Sequence, residues 1–407
     1  MQALFLGAGA SYDCGMPIVI ELTSELRRWL TPEKLLRFNA GWRTMGIGWR
    51  DHTVLFLHEL LKDKSRHYEN IIGAIQSRYN GEVDQNVRNE WHSIYLFLCQ
   101  AIQGLLVERQ IKNSLFAQAA LDDYEGIKVL LKKNRPLWIF SLNHDIMIEI
   151  LSAKYSIPIK SGFKEKLTIE INSDTEKGHE VNFEKLSRIA ISNNDYDFFR
   201  PGEDGINLIK LHGSLDIFGV GDELSFLKIA PHANDPNFYV NQLDHIEKIN
   251  RDISLKSKVH TRNEHVHLDS QGEIQFLRDT ILSGGEKFTR QSLQLAPKEF
   301  LPLFEDYLHQ ISELICIGYG FGDDHIDSVI AKWLAKDVTR TLDIVNPGID
   351  ACPNKYKHLS QQVKLTPKFT NEFFLDLDRT TDTLTRKWAR NFRSKNRERM
   401  RRELLQE

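Results

Sequence analysis

Five short runs of this sequence are apolar at nearly every position and end in small or polar residues. Runs of this kind are typical of parallel strands, which are buried on both faces of their sheet. Helical patterns separate them, and the alternation predicts an α/β fold with a doubly wound, mainly parallel sheet. The five runs are ALFLG (3–7), LWIFSLN (137–143), NLIKLHG (207–213), ELICIGYG (313–320) and TLDIVNP (341–347), and VKLTP (363–367) is a weaker sixth.

The segments between the strands differ greatly in length. Residues 19–130 are mainly helical and too long for one crossover, so we expect a large helical subdomain inserted after the first strand. Polar stretches without a clear period predict irregular insertions at about 160–205 and 220–300. This scheme gives one domain over residues 1–370 and a basic helical tail over 371–407. Within it, apolar periodicity predicts helices at 19–31, 53–62, 87–111 and 324–335.

The composition is that of a folded protein with a sizeable core. Of 407 residues, 41% are hydrophobic and 27% are charged. The net charge of −3 gives no overall attraction to nucleic acid, although residues 386–407 hold nine Lys/Arg against three Glu. Cys14, Cys99, Cys316 and Cys352 form no C-x-x-C pair, which argues against a structural zinc site or a disulfide framework. The start lacks an export signal and no run approaches the roughly 20 apolar residues of a membrane span, so we expect a cytoplasmic protein without membrane contact.

The first strand runs into a loop that has almost no side chains. The segment GAGAS (7–11) is followed by a second turn, GMP (15–17), which opens a helix. Bare backbone N–H groups beside a helix start favour a pyrophosphate. The segment is not the G-x-G-x-x-G fingerprint, because position 12 is tyrosine, and Gly-Ala-Gly is also common in tight turns. A nucleotide loop and a simple turn therefore both account for it.

Polar side chains end the second and third strands. Asn143 and Asp145 have the residue types of turns and helix caps, but the amide of Asn143 also suits ribose hydroxyls. His212 lies between an apolar strand and Gly213, where its ring would face the crevice at the strand ends. An imidazole in that place is either a structural side chain or a general base working near neutral pH.

The fourth and fifth strands end in the same way. In GYGFGDD (318–324), Asp323 or Asp324 would cap the following helix, and the glycines allow a ligand to approach the backbone. Asn346 precedes a proline and suits either a turn or an adenosine ribose. Ligands bind at the carboxyl ends of the strands in such a sheet, so these residues define one candidate crevice.

Two common kinds of site are not expected. The sequence has no G-x-x-x-x-G-K-[ST] segment, so a phosphate-loop ATPase is not indicated. It has no H-E-x-x-H motif either. The segment HTRNEHVHLDS (260–270) holds three histidines, but its polar, loop-like character does not indicate a metal site.

Taken in order, GAGAS with GMP, SLNHD, LHGS, GYGFGDDH and VN resemble the motifs of the sirtuin NAD-binding domain. The resemblance is strongest to the bacterial sirtuin-like proteins of antiphage defence, whose second motif usually reads T-N-Y-D and whose fourth reads G-[YF]-[SG]-[FL]-x-D. The motifs span residues 4–346. Leu142 and His144 stand where that pattern has Thr and Tyr, which affects the packing beside the ribose more than the chemistry.

This resemblance implies a Rossmann-like sirtuin fold that binds NAD in an extended form, with no metal. It implies that Asn143 and His212 are the catalytic pair and that Asp145 is their motif partner. The residues implied to contact NAD are Gly7, Ala8, Gly9 and Ser11 at the pyrophosphate and ribose, Gly318 and Gly322 near the phosphates, and Asn346 toward the adenosine.

The implied activity is cleavage of NAD⁺ to nicotinamide and ADP-ribose by an NAD⁺ glycohydrolase, depleting NAD⁺ as an antiphage effector that is inactive until triggered. Deacylases of this family carry a zinc module with two C-x-x-C pairs. The four scattered cysteines do not form such a module, so protein deacylation is the alternative to the hydrolase and not the favoured activity. A second alternative is a non-catalytic assembly subunit that binds NAD or ADP-ribose. Similar proteins form rings or filaments, some beside a hexameric HerA-type DNA translocase. The expected interactions are therefore a homo-oligomer, such a partner, and nucleic acid bound through the basic tail. The simpler interpretation of the tail is a solvated terminal helix.

Overall fold

A central sheet of seven parallel strands organises the chain in the computed structural model. The structure describes residues 1–171, 179–220, 225–256, 298–378 and 382–405, with short strands at 267–268, 274–276 and 279–281. Each of the six apolar runs forms a strand of this sheet. Its members are β1 (Gln2–Leu6), β2 (Leu137–Ser141), β3 (Ile159–Lys160), β6 (Ile206–Lys210), β12 (Glu313–Ile317), β13 (Thr341–Val345) and β14 (Val363–Thr366).

The strand order is β14-β13-β12-β1-β2-β6-β3, and every neighbouring pair is parallel. From β1 the chain builds the sheet toward β2 on one side and returns through β12 to β14 on the other. The crossovers therefore diverge between β1 and β12, and a crevice opens there at the carboxyl ends of the strands. Pairing of Leu6 with Ile317 and with Ser141 brings the ends of three strands to one level. The predicted doubly wound parallel sheet is confirmed.

The predicted helical insertion between the first two strands is also present. Its longest helix carries the apolar residues Trp91, Ile94, Tyr95 and Leu98 into the core, as its periodicity predicts. The helices of this insertion are α1 (Val19–Trp29), α2 (Pro32–Thr44), α3 (Asp51–Lys62), α4 (Tyr68–Gly81), α5 (Gln85–Lys112), α6 (Ser114–Ala120) and α7 (Ile127–Lys133).

A second, antiparallel sheet lies where irregular insertions were expected. Its strand order is β11-β7-β8-β5-β4, so much of the described part of residues 160–205 and 220–300 is regular. The expectation was wrong because it relied on continuous apolar runs, whereas EKLTIEI alternates polar with apolar residues, which is the pattern of a strand with one solvated face. These strands are β4 (Glu165–Ile171), β5 (His179–Ser187), β7 (Gly213–Val220), β8 (Ser225–Ile229) and β11 (Asp279–Ile281), with a separate pair β9 (His267–Leu268) and β10 (Ile274–Phe276).

The remaining helices flank the two sheets. The amphipathic helix expected at 324–335 buries Ile326, Ile330 and Trp333 against the parallel sheet. Among the described residues, none of the helices has the length and apolarity that a bilayer crossing requires. These helices are α8 (Met147–Lys154), α9 (Arg188–Ser192), α10 (Phe238–Lys256), α11 (Phe300–Leu308), α12 (Asp324–Ala335), α13 (Thr370–Asp378) and α14 (Leu384–Leu405).

The basic C-terminal segment is helical, as expected, but it does not stand apart from the domain as a solvated tail. Helix α14 packs along α1. Arg397 is only 3% exposed and pairs with Glu21, which is fully buried. The opposite face of α14 is solvent-exposed. The sequence pattern did not reveal this packing, because a helix with nine cations has too weak an apolar stripe to indicate a buried face.

Candidate functional site

The loops after β1 and β12 pack backbone against backbone. The N–H of Gly9 donates to the carbonyl of Gly318 at 2.9 Å. A Cβ on Gly9 would lie 2.8 Å from the Cα of Gly318, and Gly318 has φ +64°, a left-handed conformation. A side chain at either position would therefore strain or separate the loops. Contact between the two loops is the first reason that GAGAS consists of small residues. The same small residues leave backbone groups facing the crevice.

Ser11 belongs to a 3-10 helix, Ala8–Cys14, that follows β1. Its side chain is buried, and its Oγ accepts a hydrogen bond from Nδ2 of Asn143 at 3.1 Å. The motif resemblance implied that Ser11 contacts the ligand. In the folded chain it lines neither of the crevice's two cavities and instead fixes the orientation of the Asn143 amide.

Asn143 lies just beyond β2 and is 7% exposed. Its N–H donates to Oγ of Ser141 at 3.1 Å, and its carbonyl accepts from Nζ of Lys210 at 3.4 Å. Lys210 also donates to the carbonyl of Asp145, so one buried ammonium holds both residues of this loop. Because its backbone and its amide are both held, Asn143 presents a fixed polar group to the crevice.

Asp145 combines a structural contact with an unusual electrostatic position. Its Oδ1 accepts the N–H of Met147 at 3.1 Å, at the start of α8. Burial raises the pKa of this carboxyl above its ordinary value, and the nearby Lys210 opposes the rise in pKa. The side chain borders the same cavity as Asn143. The turn-former and site interpretations of Asp145 are therefore compatible.

His212 follows β6 and is buried, with 5% exposure. Its Nε2 lies 3.1 Å from Oδ2 of Asp323. The other carboxylate oxygen of Asp323 accepts the N–H groups of His325 and Ile326 and caps α12. Sequence reasoning assigned capping to Asp323 or Asp324 and did not find the contact with His212, because nothing in the sequence relates two loops so far apart.

Two adjoining cavities occupy the crevice. The first, which we call the His212 cavity, has a volume of about 470 Å³, and His67 at the start of α4 reaches into it. The second, the Asn346 cavity, has a volume of about 1330 Å³. Ala8, Val19, His67, Gly318 and Gly320 border both, so the two spaces adjoin at the paired glycine loops and at the starts of α1 and α4. Of the predicted residues, Gly7, Ala8, Asn143, Asp145, His212, Gly318 and Gly322 border the His212 cavity, and Ala8, Gly9, Gly318 and Asn346 border the Asn346 cavity.

Asn346 has both of the features weighed from the sequence. Its Oδ1 accepts the N–H of Gly348 at 3.0 Å, which makes it a turn residue. It also borders the second cavity, together with Phe369, whose side chain is 42% exposed. A partly exposed aromatic ring and an amide that line the same cavity offer contacts that a nucleoside base and its ribose can use.

Helix α14 forms the far wall of the Asn346 cavity. Arg390 and Arg393 border this space, and both pair with Asp123. Arg397 donates to the carbonyl of Tyr12 at 2.8 Å, and its guanidinium lies 3.8 Å from the centre of that ring. The predicted boundary at residue 370 therefore places α14, which is one wall of the crevice, outside the domain that contains the rest of the crevice.

Metal ligation has no support in the part of the chain that the structure describes. There, no three His, Cys, Asp or Glu side chains are grouped so as to hold an ion. The histidine-rich segment 260–270 falls outside the described residues except for the strand residues 267–268.

Asp13, which borders the Asn346 cavity, gives a test of the site's electrostatics. Burial raises its pKa from 3.8 to about 6, against the opposing effects of the Asn371 N–H and Arg397. Between pH 4 and 6 the unfolded chain releases this proton first, so rising pH reduces stability until the folded pKa is passed. At about 1.4 kcal/mol per pKa unit, the reduction is at most about 3 kcal/mol. We expect Asp13→Asn to be more stable than the parent at pH 7.5 and equally stable at pH 4, as measured by urea unfolding. Equal stability of both proteins at both pH values would contradict the assignment.

No family model matches this chain, and no curated protein does. A solved structure described as "The Structural basis of Sirtuin Substrate Affinity" matches over 93% of this chain and 92% of that chain, with 12% sequence identity and a TM-score of 0.38. A likeness of that size carries no argument, and the fold and site rest on the geometry above.

Proposed function

We propose that this chain is a sirtuin-like NAD⁺ glycohydrolase that cleaves NAD⁺ to nicotinamide and ADP-ribose. The observation that carries the proposal is that Asn143 and His212 border one cavity, and that Ala8, Gly318 and Gly320 border both this cavity and that of Asn346. These are the residues that the motif resemblance assigns to the two ends of the dinucleotide. An extended dinucleotide would place its nicotinamide ribose in the His212 cavity and its adenosine in the Asn346 cavity.

The chemistry needs few groups. Loss of nicotinamide from the ribose carbon C1′ breaks a C–N bond and leaves an oxocarbenium-like centre, as in glycoside hydrolysis. The Asn143 amide, held by Ser11, would orient the ribose hydroxyls and the attacking water. His212 would accept the proton that this water loses as its oxygen bonds to C1′. Nicotinamide departs with the electron pair of the broken bond, and ADP-ribose remains.

Water is the acceptor that this site supports best. Three residues at the start of α4 border the His212 cavity, namely His67, Glu69 and Asn70. Cys14 is buried at the end of the 3-10 helix, and Cys316 is buried in β12. The zinc module that deacylases of this family use beside an acyl-lysine cleft therefore has no counterpart here in the described residues. Protein deacylation and non-catalytic binding of NAD or ADP-ribose remain the two alternatives.

One product analysis separates these three functions. The full chain is incubated with NAD⁺, with and without an acetyl-lysine peptide, and the products are resolved chromatographically. The hydrolase releases equal amounts of nicotinamide and ADP-ribose whether or not peptide is present. Nicotinamide release that requires peptide and yields acetylated ADP-ribose would establish the deacylase. Intact NAD⁺ recovered in complex with the protein is the result expected of the binding subunit and of a hydrolase that is still restrained, and release of nicotinamide on triggering distinguishes the two.

The biological setting is proposed on the resemblance alone: depletion of cytoplasmic NAD⁺ as antiphage defence, within a homo-oligomer that restrains the activity until a trigger acts. A partner such as a HerA-type translocase, or nucleic acid, would then bind the outward face of α14. That face carries Leu384, Trp388 and Phe392, which are 85%, 70% and 55% exposed, beside several cations. Loss of assembly or of partner binding in Trp388→Ala, with an unchanged fold, is the expected result.

A further inference from the structure

The buried contact between His212 and Asp323 has a chemical consequence beyond holding the ring. A carboxylate only accepts hydrogen bonds, so the imidazole nitrogen facing it must carry a proton. That nitrogen is Nε2, at 3.1 Å from Oδ2 of Asp323. In the neutral ring the other nitrogen, Nδ1, then holds the lone pair.

Asp323 is itself held in place. Its Oδ1 accepts the N–H of His325 at 3.2 Å and that of Ile326 at 3.5 Å, so the carboxylate is fixed as the N-cap of α12. Its side chain is 11% exposed and that of His212 is 6% exposed. Since both groups are largely removed from water, the ion-dipole contact between them is weakly screened.

We propose that Asp323 is a positioning residue that fixes the tautomer of His212, so that Nδ1 is the atom that accepts the proton from the attacking water. This inference rests on the proposed hydrolase function and specifies its base. One carboxylate thus serves two purposes, because one oxygen caps a helix and the other sets the imidazole. Asp323 acts through His212 and needs no contact with the reacting atoms.

Asp323→Asn separates the two purposes. Asparagine is as good an N-cap as aspartate, so its carbonyl oxygen keeps the contacts with α12 and the fold is retained. Its NH₂ group then faces Nε2 and donates to it, which moves the ring proton to Nδ1 and removes the base. The comparable substitution in the serine-protease triad costs about 10⁴-fold in kcat. Here we expect a fall in kcat of at least about 100-fold with KM for NAD⁺ changed less than about threefold.

Asp324→Asn is the matched control. It removes the same charge one residue away, but Asp324 is 92% exposed and pairs with Lys355. We expect its kcat to stay within about threefold of the parent, as is usual when an exposed ion pair is lost. A kcat for Asp323→Asn that also stays within that range would overturn the proposal.

A spectroscopic readout makes the test independent of turnover. Ring ¹⁵N signals of His212 are identified as those missing from His212→Gln, near neutral pH in full-length labelled protein. The proposal expects a protonated Nε2 and an unprotonated Nδ1 in the parent, and the reverse in Asp323→Asn. An unprotonated Nε2 in the parent would overturn it even if NAD⁺ is cleaved. If NAD⁺ is not cleaved while the expected tautomer is found, the proposed function fails but the positioning of His212 stands.

Discussion

His212→Ala is expected to lower the rate of nicotinamide release by at least about 100-fold, which is the smaller end of what general-base catalysis contributes. The imidazole is the group placed to accept the proton of the attacking water, and alanine leaves no substitute at that atom. The contact between the glycine loops does not depend on this side chain, since it joins Gly9 to Gly318. Loss of the ring does remove the buried contact with Asp323. We therefore expect the fold to be retained with a loss of stability of about 1–3 kcal/mol, and ADP-ribose affinity within a few-fold of the parent.

Two variants complete this experiment. Asn143→Ala is expected to be similarly inactive, because the ribose and the water lose the amide that orients them. His325→Ala is the control: His325 borders the same cavity but is exposed and has no role in the scheme. Turnover by His212→Ala within a few-fold of the parent would show that another group is the base. Equal losses of activity in His212→Ala and His325→Ala would show that any substitution at this cavity disturbs it, and His212 would not be identified as the base.

Arg397→Met is expected to destabilise the protein by about 3–5 kcal/mol, the usual cost of removing one partner of a buried ion pair. Arg397 donates to both oxygens of Glu21, at 3.0 and 2.6 Å, and to the carbonyls of Tyr12 and Met16. Its loss would leave Glu21 charged and fully buried without its guanidinium. These contacts of Arg397 join α14 to α1 and to the 3-10 helix that carries Ser11. We therefore expect the site residues to be less firmly held in the variant.

Urea unfolding of the full chain measures this loss. Arg399→Met is the control on the same helix, since its pair with Glu403 is exposed and should contribute less than about 1 kcal/mol. The double variant Glu21→Gln/Arg397→Met should recover part of the loss, because it no longer buries an unpaired carboxylate. If Arg397→Met and Arg399→Met are equally mild, α14 is a solvated tail in solution and not a wall of the site.

The sequence was sufficient wherever the determinant is local. Six of the seven parallel strands could be predicted because each is a short apolar run, and their polar ends marked Asn143 and His212 before any fold was known. The two-residue strand β3, Ile159–Lys160, has no such run and was not predicted. Asp323 could be predicted as a candidate cap, since capping depends on the next few residues. The insertion after β1 and the amphipathic face of α12 follow from the same 3.6-residue pattern.

What the sequence concealed depends on contacts between distant segments. The pairing of Asp323 with His212, and the burial of Arg397 on Glu21, join loops and helices that no periodicity relates. The antiparallel sheet was missed because its outer face is charged. Position 9 needs glycine because a Cβ there would meet the backbone of Gly318, whether or not a ligand is bound. The sequence of one segment alone does not show this contact.

The measurement that tests the central claim most directly is a calorimetric titration of NAD⁺ onto the full chain and onto Gly320→Trp, each carrying His212→Ala so that NAD⁺ is not consumed. Gly320 borders both cavities, and a Cβ built there has nothing within 4 Å, so a side chain can leave the backbone at this position. The indole of tryptophan would then occupy cavity space that the ligand needs. Gly41→Trp, at an equally open position in α2, is the control. The account predicts one NAD⁺ per chain, displaced by ADP-ribose, with affinity kept in Gly41→Trp and lowered at least about 100-fold in Gly320→Trp. Undiminished binding to Gly320→Trp, or no binding to the parent, would contradict it.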